Sequence, residues 1–71
     1  MKKLVFTIQD EFIELNRLLK AVHLCQTGGE AGFLVSEGKV KLNGIIETRK
    51  RAKIRTDDKV EVGDSVILVK N

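Results

Sequence analysis

The side chains with the clearest chemical potential are cations, and they are concentrated. Between residues 39 and 55 the chain carries Lys39, Lys41, Arg49, Lys50, Arg51, Lys53 and Arg55 against Glu47 alone, a net of +6. Residues 1–38 sum to −1 and residues 56–71 to −2, so the formal charge of the whole chain is only +3. A cationic block between acidic flanks attracts polyanions to one part of the surface. Arg49, Arg51, Lys53 and Arg55 recur at every second position. In extended backbone they project to one side, with Ile54 on the other, in steps of about 6.6–7 Å, close to the phosphate repeat of a nucleic-acid strand. Lys50 faces the other way if that strand is regular.

The remaining reactive residue types do not assemble into a catalytic set. His23 and Cys25 lie two apart, and the chain has no other Cys or His. Two ligands do not make a zinc site, and a Cys–His pair without an orienting third group does not make a nucleophile. Cys25 reads as a small buried apolar residue. Asp57, Asp58, Glu61 and Asp64 read as turn and strand-surface carboxylates rather than as an acid–base pair. Gly28-Gly29 lacks the Gly-Lys-Ser/Thr ending of a phosphate loop. No catalytic residue, metal or cofactor is expected.

The elements that must position the cations follow from periodicity. Residues 4–8 read as a short strand. Asp10 is a candidate cap for a first helix over about 11–22, with Phe12, Leu15, Leu18, Leu19 and Val22 at helical spacing. Glu14, Arg17 and Lys20 lie on its outer face. Thr27-Gly28-Gly29-Glu30 has the form of a capping box, in which the Thr hydroxyl takes one amide and the Glu folds back. It opens a second helix over about 28–37, with Ala31, Leu34 and Val35 as its apolar stripe and Gly38 as its stop. Gly32, inside that helix, predicts close approach of another backbone. Lys39-Val40-Lys41-Leu42 alternates as a strand with its lysines outward, and Asn43-Gly44 is a two-residue hairpin signal. Ile45 and Ile46 begin the return. Residues 59–62 and 65–69 read as a second hairpin about Gly63-Asp64, and Val66-Ile67-Leu68-Val69, apolar on both faces, belongs inside the sheet. The order predicts an α+β fold: two packed helices on one side of a small, mostly antiparallel sheet of four to five short strands.

The 71 residues suffice for one domain, 1–71, with a thin core. The longest apolar run, 66–69, is far too short to span a membrane. The opening Met-Lys-Lys-Leu-Val-Phe begins like a signal peptide, but the apolar stretch is broken at Thr7 and Gln9 and has no small-residue cleavage site. A reduced, cytoplasmic monomer is expected.

Leu15, Leu18, Thr27, Ala31, Leu34, Val35, Gly38, Val40, Leu42, Asn43 and Gly44 keep their relative spacing without a gap over residues 14–44. In this the chain resembles the RNA-binding domain named after the fourth small-subunit ribosomal protein, the αL motif. Glu47-Thr48-Arg49-Lys50-Arg51 and Lys53-Ile54 extend the likeness to the small free-standing members, the YbcJ-like proteins. The resemblance implies the αL-motif fold and a non-catalytic role on structured RNA, of ribosomal or transfer type, with the ribosome or one of its subunits as a possible partner. This chain departs from the family pattern in its helices. Glu14 and Asn16 stand where the family has Arg and Asp, Gly28 where it has Arg, and Gly32 where a basic residue is common.

The expected RNA-binding residues are therefore Lys39, Lys41, Arg49, Lys50, Arg51, Lys53 and Arg55, with Lys20 and the Asn43 amide beside them. The start of the second helix is a further anchor: Thr27 as cap, and Gly28 and Gly29 as amides a phosphate can approach. There is no Trp or Tyr, and Phe6, Phe12 and Phe33 read as core or semi-core, so base stacking is largely unavailable and recognition by shape and backbone is expected. Two other classes fit more loosely. A winged-helix-like DNA binder would read with the second helix, which offers no Arg or Lys to a groove. A β-grasp interaction module would turn the basic block to an acidic protein; the chain ends Val69-Lys70-Asn71, without the Gly-Gly used in conjugation.

Overall fold

The computed structural model describes residues 2–71. The chain runs β1 (Lys2–Thr7), β2 (Ile13–Glu14), α1 (Leu15–Ala21), α2 (Gly28–Ser36), β3 (Val40–Leu42), β4 (Ile45–Ile46), β5 (Lys53–Ile54), β6 (Lys59–Val62) and β7 (Ser65–Lys70). Five strands form one sheet in the order β1-β7-β6-β3-β4, and β2 pairs with β5 in a separate two-stranded ribbon. All pairings are antiparallel except β1 with β7. The expected α+β architecture and main sheet are present, and β7 lies inside the sheet as its apolar sequence requires.

Bridge partners share a face, so register sorts the side chains. Val40, Val60, Ile67 and Val69 line one face, all fully buried, and meet Leu15, Leu18, Leu19, Ala31 and Val35 from the helices. Cys25 joins this core. Burial pushes its thiol pKa up, and the nearby Glu30 carboxylate adds to the rise.

Both tight turns take the backbone their residues favour. Asn43 and Gly44 have φ of 51° and 86°, the two positive values of a type I′ hairpin turn. Gly63, with φ of 56°, opens the two-residue turn between β6 and β7. Each helix ends in a Schellman motif. In α2 the Gly38 and Lys39 amides donate to the Val35 and Leu34 carbonyls; in α1 His23 and Leu24 donate to Lys20 and Leu19. His23 holds the left-handed position, φ 65°, that Gly38 holds at the second helix.

The first helix differs from expectation. It starts at Leu15, not near residue 11, and Asp10 is not its cap. Ile13 and Glu14 are instead drawn into pairing with Ile54 and Lys53. Glu14 occupies the cap position without a side-chain cap bond. The first helical amides are satisfied by tertiary partners: Leu15 N–H donates to the Ala52 carbonyl and Asn16 N–H to that of Lys50, each at 2.9 Å. A pairing partner some forty positions away along the chain outcompetes the local capping signal. The second helix follows its local signals. Thr27 Oγ1 accepts from the Glu30 amide at 3.1 Å, the first half of the expected capping box.

Candidate nucleic-acid interface

The bonds from Leu15 and Asn16 lash the segment 49–55 to the start of α1, so the basic return is not one long strand. Ala52 N–H donates back to the Arg49 carbonyl at 3.1 Å, closing a turn, and only Lys53–Ile54 is β-structure. The predicted even row therefore fails as geometry but survives as a surface. Ala52 and Ile54 are buried while Arg51, Lys53 and Arg55 are exposed. Arg49, Arg51, Lys53 and Arg55 line one shallow groove together with Leu42 and Ala52. Lys53 is steadied by Phe12, whose ring centroid lies 5.0 Å from its ammonium.

Lys50 points the other way, as expected, and meets α2. A Cβ built on Gly32 would stand 3.2 Å from Lys50 Cδ. Gly32 thus makes room for a lysine stem, and the expected backbone neighbour is absent. A second groove opens there, lined by Gly28, Gly29, Gly32, Phe33 and Ser36 of α2 on one wall and by Thr48, Arg49 and Lys50 on the other. Arg49 borders both grooves and joins them. Neither Gly28 nor Gly29 has positive φ, and a Cβ at either meets only open space or Thr27 Oγ1 at 3.9 Å. The fold does not require glycine at these positions.

Arg49 is also the paired cation of the block. Its Nε and Nη2 donate to the two carboxylate oxygens of Glu47 at 3.0 and 3.2 Å, and its own amide donates to Glu47 Oε2 at 3.1 Å. The hydrogen bond from the Arg49 side chain holds the Glu47 carboxyl below the usual carboxylate range. The guanidinium stays largely open to solvent, with 79% of the side chain exposed. Among the described residues, Lys39, Lys41, Lys50, Arg51, Lys53 and Arg55 make no ion pair.

Other expected site residues lie elsewhere. Lys41 sits opposite Ile46 and Glu61, on the sheet face turned away from the helices. Lys39 is exposed where the chain leaves the Gly38 turn. Lys20 is exposed in the last turn of α1, where its charge suits the helix dipole; it lines neither groove. The Thr27 hydroxyl is occupied as a cap. Asn43 is committed to the fold: its Nδ2 donates to Asp58 Oδ1 at 3.0 Å and its Oδ1 accepts from the Lys59 amide at 2.9 Å. Asp58 Oδ2 in turn accepts from the Arg55 amide at 2.8 Å. The Asn43–Asp58 clasp ties the β3–β4 turn to the end of the basic segment.

Two aromatic residues differ from expectation. Phe12 lies before the helix and supports Lys53. Phe33 is not core: it is 63% exposed and stands on the wall of the second groove. A signal for this existed. The stripe of Ala31, Leu34 and Val35 leaves Gly29, Gly32, Phe33 and Ser36 on the opposite side of the helix. Among the described residues no three His, Cys, Asp or Glu side chains gather as metal ligands, and no helix is long and apolar enough to cross a membrane.

A capped helix pair that leads through a glycine stop into a Val-Lys-Leu-Asn-Gly hairpin, with a basic return laid along both helices, defines an αL-type domain. The S4 domain sequence profile matches residues 6–70, and the chain belongs to the S4 domain family. Its relatives include YbcJ of Escherichia coli (strain K12) and YbcJ of Shigella flexneri, each 41% identical over 58 residues that span 80% of this chain and 83% of theirs. The solution structure of YbcJ from E. coli aligns with a TM-score of 0.71 at 31% identity, over 100% of this chain and 89% of that one. That structure is described as revealing an αL motif involved in RNA binding.

Proposed function

We propose that this chain is a non-catalytic RNA-binding module that docks on structured RNA of the ribosomal or transfer type. The observation that carries the reading is the pair of grooves joined at Arg49. One offers Arg51, Lys53 and Arg55, the other Lys50 and the open start of α2. Such a surface holds phosphates by charge, and a helix amino end adds backbone amides aimed at an anion. The family, and the RNA binding described for the E. coli YbcJ structure, support the same partner. A DNA-reading role for α2 is not favoured, because its only charged residue is Glu30.

The test is the salt dependence of affinity for a hairpin RNA. With about 4–6 phosphates neutralised, log affinity falls against log salt with a slope of about −3 to −5. A slope near zero overturns the electrostatic reading. Duplex DNA that competes as well as hairpin RNA overturns the choice of RNA.

A further inference from the structure

Phe33 is an exposed aromatic ring with no place in the core. Its neighbours on the helix surface, Gly29 one turn before and Ser36 one turn after, are small, and the Ser36 hydroxyl is turned to the Phe33 carbonyl at 3.0 Å. The flank of the ring that faces the groove therefore carries no bulky side chain along the helix, and Glu30 and Glu37, one turn away on its other flank, lie outside the groove. Across the groove stand Thr48, Arg49 and Lys50. Lys50 is free of ion pairs among the described residues, and its stem is laid against Gly32.

We propose that Phe33 is a stacking platform for an unpaired nucleobase, with Lys50 and Arg49 taking the phosphates on either side of that nucleotide. The inference rests on the RNA-binding reading and adds a preference for RNA with an unstacked base, where phosphate contacts alone would accept any duplex. The pairing of chemistries selects the occupant. An acidic peptide uses the cations and leaves the ring in water. An apolar protein surface covers the ring and strands the Lys50 charge. A nucleotide satisfies both, its flat face on the ring and its phosphate on the ammonium.

The experiment compares two RNA probes: a short stem closed by an adenosine loop, and the same stem as a blunt duplex with no unpaired base. The wild-type protein binds the stem-loop tighter by about fivefold to 100-fold, the range of one stacked base. Phe33→Ala and Phe33→Leu lose this preference and bind both probes as the wild type binds the duplex, whereas Phe33→Trp restores it. The melting temperature of each variant confirms the fold, since Phe33 lies outside the core. Equal wild-type affinity for the two probes, or a preference that survives Phe33→Leu, overturns the stacking role and leaves the RNA-binding reading standing. Failure of the wild type to bind either probe removes both. Self-association in sedimentation that Phe33→Ala abolishes, with RNA affinity unchanged, overturns the proposal in favour of a second copy of this chain on the ring.

Discussion

The basic block has two arms that look alike in sequence and differ in space. The hairpin arm, 39–46, is regular: Lys41 lies opposite Glu61 on the outer face of the sheet, and the Asn43 turn is clasped by Asp58. The return arm, 49–55, is irregular, and its backbone carbonyls cap α1 while its cations line two joined grooves. Both arms space their cations two apart. Both arms set buried residues between their cations, Val40 in one and Ala52 and Ile54 in the other, but only the return-arm cations line a concave surface, because the turn at 49–52 lays that segment along both helices. Charge density read along a chain therefore overstates the binding surface. What the charges rest on decides.

The return arm depends first on its anchor. Ile54 is fully buried, so Ile54→Ala costs about 2–5 kcal/mol of unfolding free energy, a large share of what so small a domain has. Half-buried Leu42→Ala costs less, about 1–2 kcal/mol. Urea denaturation of both variants tests the order, and equal losses refute the deeper anchoring of Ile54.

Charge reversal comes next. Arg51→Glu, Lys53→Glu and Arg55→Glu together lower affinity for a hairpin RNA by about 100-fold at low salt, while Lys39→Glu with Lys41→Glu lowers it by less than about tenfold. Filter binding separates the two. Equal effects place the hairpin lysines in the interface too.

The clasp gives a smaller effect. Asn43→Ala leaves Asp58 Oδ1 and the Lys59 amide without partners and forces a residue without a side-chain amide into positive φ, at a cost of about 1–2 kcal/mol. Affinity should change little once the folded fraction is accounted for. A specific loss of RNA binding at unchanged stability would return Asn43 to the interface.

The smallest effect concerns Glu47. Its folded pKa is depressed, so its contribution to stability is present above the ordinary Glu value and is lost as pH falls through the folded one. Stability of the wild type thus falls below about pH 4.3 by a component that Glu47→Gln lacks. The same variant releases Arg49 and raises RNA affinity about twofold to threefold. Thermal melts from neutral to acid pH and a binding titration check both halves.

What was legible in the sequence tracks how local its cause is. Thr27, Gly38 and Asn43-Gly44 act through backbone within a few residues, and the second helix and first hairpin stand where those residues put them. The start of α1 departs from its local signals because its determinant is the pairing of Ile13–Glu14 with Lys53–Ile54, to which no local pattern points. The site divides in the same way. Alternation separated Arg51, Lys53 and Arg55 from buried Ala52 and Ile54. The Glu47–Arg49 fork, the seat of Lys50 on Gly32 and the exposure of Phe33 depend on how segments meet.

The parallel pairing of β1 with β7 has a kinetic consequence. Lys2 is in register with Ser65, and Thr7 with Lys70, so an interior strand of the sheet is made some sixty residues after one of its two neighbours. Contacts of such sequence separation close large loops before they repay the entropy lost. The sheet cannot assemble progressively from the amino end, because β1 and β6 have no common neighbour until β7 arrives. Folding is accordingly an all-or-none event, slower than that of a helical bundle of equal size, and the sheet stays open until β7 is free to insert.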